Sequence, residues 1–172
     1  MNTTDYILDS ALVLIVLLQI RERPLTNRSL IRPLVIVGIA VASYLNGFPT
    51  AGNDVVLAIS TVLLGVAIGT ASGLTMFIRR DENGTVLSRA GWASAFFWVL
   101  GMGSRFAFIF WSTHMGASSI AHFSTQHSIT SGEAWTVALL GMAVGEVLSR
   151  TGVIAWRRQA LTDETPAAYS LA

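Results

Sequence analysis

The feature that most constrains this chain is the spacing of its apolar residues, which gather into five blocks separated by short polar segments. A transmembrane helix needs about 20 predominantly apolar residues. Only 12% of the 172 residues are charged, which is about half of the usual fraction in soluble domains. The pattern therefore predicts an all-α, polytopic membrane helix bundle. The expected spans are residues 4–20, 32–48, 54–78, 90–113 and 134–156.

The first two blocks are short for a complete span, whereas the other three have full length. Pro33 suits the first turn of the second helix, because a proline at that point sacrifices no helical hydrogen bond. The N-terminus lacks the basic start of a signal peptide, so the first block is expected to be a retained helix. We expect one helical domain over residues 1–158 and a disordered cytoplasmic tail over residues 159–172.

The distribution of arginine predicts the orientation of the bundle. The chain contains no lysine, and nine of its eleven arginines lie in alternate connectors or directly after the last block. These nine are Arg21, Arg23, Arg28, Arg32, Arg79, Arg80, Arg89, Arg157 and Arg158. Basic residues flanking membrane spans stay on the cytoplasmic side. Five spans then predict an outside N-terminus, a cytoplasmic C-terminus and a multi-pass location in the cell membrane.

Glycines recur at intervals of four residues in two of the long blocks. Gly65, Gly69 and Gly73 lie on nearly one face of the third helix, and Gly141 and Gly145 share a face of the fifth. Small residues at this spacing let two helix backbones approach closely. The pattern predicts helix packing, within this chain, within a homo-oligomer or against another membrane protein.

Four ionisable residues lie inside the expected spans: Asp9, Arg105, Glu146 and Arg150. A charge in hydrocarbon is costly, so such residues usually face the bundle interior and find a partner. Counted from the cytoplasmic ends of their helices, Arg105 and Glu146 differ in depth by about 7 Å, which an arginine side chain can bridge. We therefore expect these two to interact. Arg150, four residues after Glu146, could compete for the carboxylate or join the network.

This polar network has two interpretations. It could be a structural ion pair that fixes helix register, or a functional site in which Arg105 binds an anionic ligand or Glu146 carries a proton or cation. Asp9 lies beside Ser10 near the outer end of the first block, so we expect it to be hydrated.

His114, His122 and His127, the three histidines of the chain, lie in or beside the polar segment 112–132 and raise the possibility of a metal or haem site. Their separations of eight and five residues do not place all three on one helical face. We expect a solvated loop there, with room for a short interfacial helix or a lid. The sequence does not assign a cofactor.

The functional classes can be narrowed by what the sequence lacks. It has no cysteine, no known catalytic motif and no basic face that would favour nucleic-acid binding. A non-enzymatic membrane binding or assembly protein in contact with membrane lipids is the first hypothesis. A small transporter or proton-coupled carrier using Glu146 and Arg105 is the alternative, although no inverted repeat is evident. A membrane enzyme or haem protein using the histidines is the third.

Three stretches carry a resemblance to a known family. They are residues 18–25 (LQIRERPL), 77–92 (FIRRDENGTVLSRAGW) and 103–108 (GSRFAF). Together they resemble the CcdC-like family of small bacterial integral membrane proteins. The matching positions are Arg80, Asp81, Gly84, Arg89, Gly91 and Arg105. The resemblance implies a bacterial inner membrane and an importance for Arg105. The family is named for an association with cytochrome c maturation, but a chain without cysteine is unsuited to handling thiols, and the resemblance assigns no catalytic or cofactor residue.

Overall fold

The computed structural model describes residues 23–44, 50–81 and 85–163, and these are mostly helical. The helices are α1 (Asn27–Tyr44), α2 (Asp54–Leu74), α3 (Trp92–His114), α4 (Ala117–Gln126) and α5 (Gly132–Asp163). The strands are β1 (Arg23–Pro24), β2 (Phe77–Arg80) and β3 (Val86–Arg89). Of the described helices, α2, α3 and α5 are long and apolar enough to cross a membrane.

The centre of the fold is the contact between α2 and α5, where glycines bring the two backbones together. A Cβ atom at Gly65 would overlap the carbonyl oxygen of Met142, and one at Gly69 would overlap that of Glu146. From the other side, a Cβ at Gly145 would lie 2.7 Å from the carbonyl oxygen of Val62. Any larger residue would push the helices apart. The helix-packing role that the glycine spacing predicts is confirmed within this chain.

Two further helices pack on this pair. Between α2 and α3, the fully buried Ser72 donates a hydrogen bond to the carbonyl oxygen of Ser94 at 3.3 Å. Between α5 and α1, Arg158 donates to the side-chain oxygen of Asn27 at 2.6 Å. At the other end of α1, Val41 lines the same surface pocket as Val137, which is near the start of α5. The two helices α1 and α5 therefore run antiparallel.

The expectation of an all-α chain needs one correction, because the connectors at one end of the bundle form a three-stranded antiparallel sheet in the order β1-β3-β2. In β2 and β3, Ile78 is opposite Ser88, while Pro24 of β1 is opposite Leu87. Strands of two to four residues give almost no periodic signal in a sequence. The sheet brings the arginine-bearing connectors before α1 and between α2 and α3 to one end of the bundle.

The helix α2 ends at Leu74 instead of continuing to residue 78, and its last carbonyl groups are bonded by a side chain of α5. The Nη1 atom of Arg157 donates to the carbonyl oxygens of Gly73, Leu74 and Met76 at 3.0, 3.0 and 2.7 Å. A cation at this position satisfies the unpaired carbonyls and interacts favourably with the helix dipole. The chain then continues as β2.

Other boundaries also differ from the expected ones. The helix α1 begins at Asn27, so Pro33 lies in its interior and not in its first turn. The helix α5 continues to Asp163, so residues 159–163 are helical and do not belong to a disordered tail. The expected first span, residues 4–20, and the rest of the tail, residues 164–172, lie outside the described residues.

The segment expected as a solvated loop contains the ten-residue helix α4, and the turn that follows it is tied to the start of α2. Asp54, only 1% exposed, accepts hydrogen bonds from the backbone N–H of Thr130 at 2.8 Å and from the Thr130 hydroxyl. Asn53 donates to the carbonyl oxygen of His127 at 2.9 Å. These bonds fix the end of the bundle opposite the sheet.

Candidate functional site

An ion pair connects the middle of α3 to the middle of α5. The Nη2 atom of Arg105 lies 2.7 Å from Oε2 of Glu146, and the two side chains are only 14% and 6% exposed. This contact was expected from the depths of the two residues, and the structure confirms it. A charge-assisted hydrogen bond of this length is among the stronger polar contacts in proteins.

Gly101 makes room for this ion pair. It is buried on α3, and a Cβ atom at this position would lie 2.6 Å from Oε1 of Glu146 and closer still to Oε2. Any other residue would displace the carboxylate. Gly101 was not among the predicted site residues, although it precedes Arg105 by four residues and so shares its helical face.

Arg150 lies one turn after Glu146 on α5, but it does not share the carboxylate. Within the described residues it makes no hydrogen bond and no salt bridge, and its Nε atom is buried without a partner. The Nη1 atom of Arg105 is buried and unpaired in the same way. Two guanidinium groups and one carboxylate thus meet here, which leaves a formal charge of +1 when all three are ionised.

A cavity of about 620 Å³ lies beside these charged groups, between α1, α3 and α5. Arg105, Glu146 and Arg150 are the only charged side chains among the described residues that line it. The apolar wall includes Ile36, Val37, Trp98, Met102, Ala143 and Val147. Toward the sheet, the cavity is bordered by Pro24, Leu25 and Ser88. Its form is that of a small-molecule site, with apolar walls and a few polar groups in one place.

The three histidines do not converge on a common point. The ring of His114 stacks on Phe110 with a centroid distance of 4.3 Å, and the ring of His127 stacks on Phe123 at 4.0 Å. His122 is exposed on α4. Among the described residues, no group of three or more potential metal-binding side chains is found. Asp9 lies outside the described residues.

The fold and the cavity define a helical protein with candidate membrane-crossing helices and a charged internal site. Comparison of the chain with protein-family models, curated proteins and solved structures gave no match. The resemblance to the CcdC-like family therefore stays a prediction from short motifs.

Proposed function

We propose that this chain is a multi-pass protein of the bacterial inner membrane that binds an amphiphilic ligand in the cavity between α1, α3 and α5, without catalysing a reaction. The observation that carries the proposal is the position of Arg105, Glu146 and Arg150 beside an apolar cavity of about 620 Å³. That volume falls within the range of roughly 300–1,000 Å³ typical of ligand pockets. A ligand with one polar end and one apolar end would complement both parts.

Several features support the placement in a membrane. The helices α2, α3 and α5 are long and apolar enough for it, and large apolar side chains such as Phe106, 71% exposed, point away from the protein. The arginine-bearing connectors gather at the sheet end, as the positive-inside rule requires of a cytoplasmic face. With residues 4–20 as a first span, the N-terminus would be outside and the C-terminus cytoplasmic. The resemblance to the CcdC-like family favours the bacterial inner membrane.

Binding is favoured over transport by the state of the glutamate. A proton or cation carrier needs a carboxylate that can exchange its partner, whereas Glu146 is held by Arg105 at 2.7 Å and packs against Gly101. The glycine contacts between α2 and α5 also leave no space for these two helices to slide past each other. A rigid pair of helices with a cavity on one side is better suited to holding a ligand.

The test is native mass spectrometry of the full-length protein released from its own membrane. Ala143→Leu places three extra carbons into the cavity wall, whereas Leu148→Phe adds three carbons on the same helix at a side chain that is 53% exposed. We expect the unmodified protein and Leu148→Phe to carry a bound small molecule that Ala143→Leu has lost. A spectrum without such a mass, or the same mass in all three proteins, would contradict the proposal.

A further inference from the structure

Among the described residues, the positive charge that lines the cavity exceeds the negative charge. Glu146 neutralises Arg105, with which it shares a 2.7 Å contact, and Arg150 has no salt bridge or hydrogen bond to any other described residue. An unpaired cation away from water is costly, and a guanidinium group is shaped to bind two oxygen atoms of one anion. The side chain of Arg150 therefore offers a binding site for an oxyanion.

The size of the imbalance indicates how much charge the ligand carries. Among the described residues that line the cavity, two arginines and one glutamate give one net positive charge, so a monoanion would bring this set to neutrality. A dianion would leave one negative charge beside Glu146 in a poorly solvated site, where electrostatic repulsion is weakly screened. A carboxylate fits this requirement, and its two oxygens match the fork of Arg150.

The volume limits the apolar part of the ligand. If each non-hydrogen atom takes about the volume of a water molecule, roughly 30 Å³, the cavity accommodates about 20 such atoms. A fatty acid with about 16 to 18 carbons has this size, whereas a phospholipid with two acyl chains is more than twice as large. The uncharged wall along Val37, Met102 and Val147 provides the apolar surface for one chain.

We propose that the ligand is a single-chain amphiphile with a monoanionic carboxylate, a long-chain fatty acid, whose carboxylate pairs with Arg150 and whose chain extends along the cavity. This assignment rests on the proposed binding function. It makes Arg150 the residue that selects the ligand, while Arg105 and Glu146 form the fixed polar wall beside it.

The experiment compares ligands in the unmodified full-length protein, reconstituted in phosphatidylcholine nanodiscs after removal of bound lipids. The probes are palmitate, hexadecanol with the same chain but no charge, acetate with the same head but no chain, and phosphatidylglycerol with two chains. We expect palmitate to bind at one molecule per protein and to be displaced by none of the other three at equal concentration. Binding of hexadecanol with the affinity of palmitate would overturn the role of the charge. Displacement of palmitate by acetate or by phosphatidylglycerol would overturn the assignment of a ligand with one long chain.

A matched pair of variants then tests the residue. Arg150→Gln removes the unpaired guanidinium, while Arg158→Gln removes an arginine on the same helix that does not line this cavity. Loss of a charge-assisted hydrogen bond predicts palmitate binding about ten- to a hundredfold weaker in Arg150→Gln. Arg158→Gln should bind as the unmodified protein does, and equal weakening in both would overturn the assignment. If Arg150→Gln does not fold, the comparison of palmitate with hexadecanol still decides.

The two proposals fail in different ways. A bound mass that Ala143→Leu removes, but that is neutral or has two chains, would overturn the fatty-acid assignment alone. The absence of any mass that depends on the cavity, together with no binding of any probe, would overturn the binding function itself.

Discussion

The two faces of α5 differ in the size and charge of their residues and in what they contact. The face toward α2 carries small or buried residues, including Ala138, Met142 and Gly145, and its backbone touches the glycines of the neighbouring helix. The face toward α1 carries Val147 and Arg150 and borders a cavity. With 3.6 residues per turn, these two sets lie on roughly opposite sides of the helix.

The difference separates two tasks within one helix. The close backbone contacts on the α2 side supply packing that does not depend on long side chains, because glycine brings main-chain atoms into van der Waals contact. The side of α5 that faces α1 therefore does not need to pack closely, and it can carry charged groups beside the cavity. The tight face stabilises the fold, and the open face is available for a ligand.

The largest loss of stability is expected when the close packing of α5 against α2 is disrupted. In Gly69→Leu the new side chain would overlap the carbonyl oxygen of Glu146 and the hydroxyl of Ser149, so the helices must separate, at a cost of about 3 kcal/mol or more. Gly152→Leu is the matched control, since a Cβ at Gly152 meets nothing within 4 Å. Thermal unfolding in detergent should show a large loss of stability for Gly69→Leu alone. Equal unfolding temperatures in the two variants would contradict the close packing.

A smaller loss of stability is expected when the ion pair between Arg105 and Glu146 is broken. Glu146→Gln leaves two guanidinium groups without a carboxylate, and Arg105→Gln leaves the carboxylate without its closest partner, each at a cost of about 2 kcal/mol. The double variant should lose clearly less stability than the sum of the two, because neither charge then remains unpaired.

The control for this cycle combines Glu146→Gln with Arg158→Gln, whose side chain bonds to Asn27 at the end of the bundle. These two effects should add, because the residues share no partner. Strict additivity in the Arg105 cycle as well would show that the ion pair makes no energetic contribution.

The smallest effect on stability is expected at Gly101, where the open face is shaped. Gly101→Ala places a Cβ against the Glu146 carboxylate and should cost about 1–2 kcal/mol, together with loss of the cavity ligand. Gly103→Ala adds the same group two residues later, where nothing lies within 4 Å. It should retain the ligand and gain slightly in stability, because alanine favours a helix more than glycine does. Ligand retention in both variants would show that the carboxylate position is unimportant for binding.

The two faces were not equally predictable from the sequence. The spacing of Gly65, Gly69 and Gly73 is a local pattern that defines one helix face without knowledge of the partner. The contact between Arg105 and Glu146 could be predicted because a membrane span gives each residue an approximate depth. In both cases the sequence itself contains the geometric information.

The cavity and the ends of the helices depend on tertiary contacts that no local pattern contains. The carbonyl groups at the end of α2 are bonded by Arg157, more than 80 residues later in the chain. The addition of β1 to the sheet depends on the pairing of Pro24 with Leu87, which are more than 60 residues apart in the chain. Within the described residues Arg150 has no partner, although it lies one turn from Glu146, because the carboxylate pairs with Arg105 of α3.

The most direct test of the two-faced account is an experimental density map of the full-length protein in lipid nanodiscs, obtained with a bound antibody fragment that enlarges the particle. We expect α2 and α5 in backbone contact and elongated, non-protein density between α1, α3 and α5, with one end beside Arg150. Direct packing of α1 on α3, or density for residues 1–22 filling that space, would contradict it.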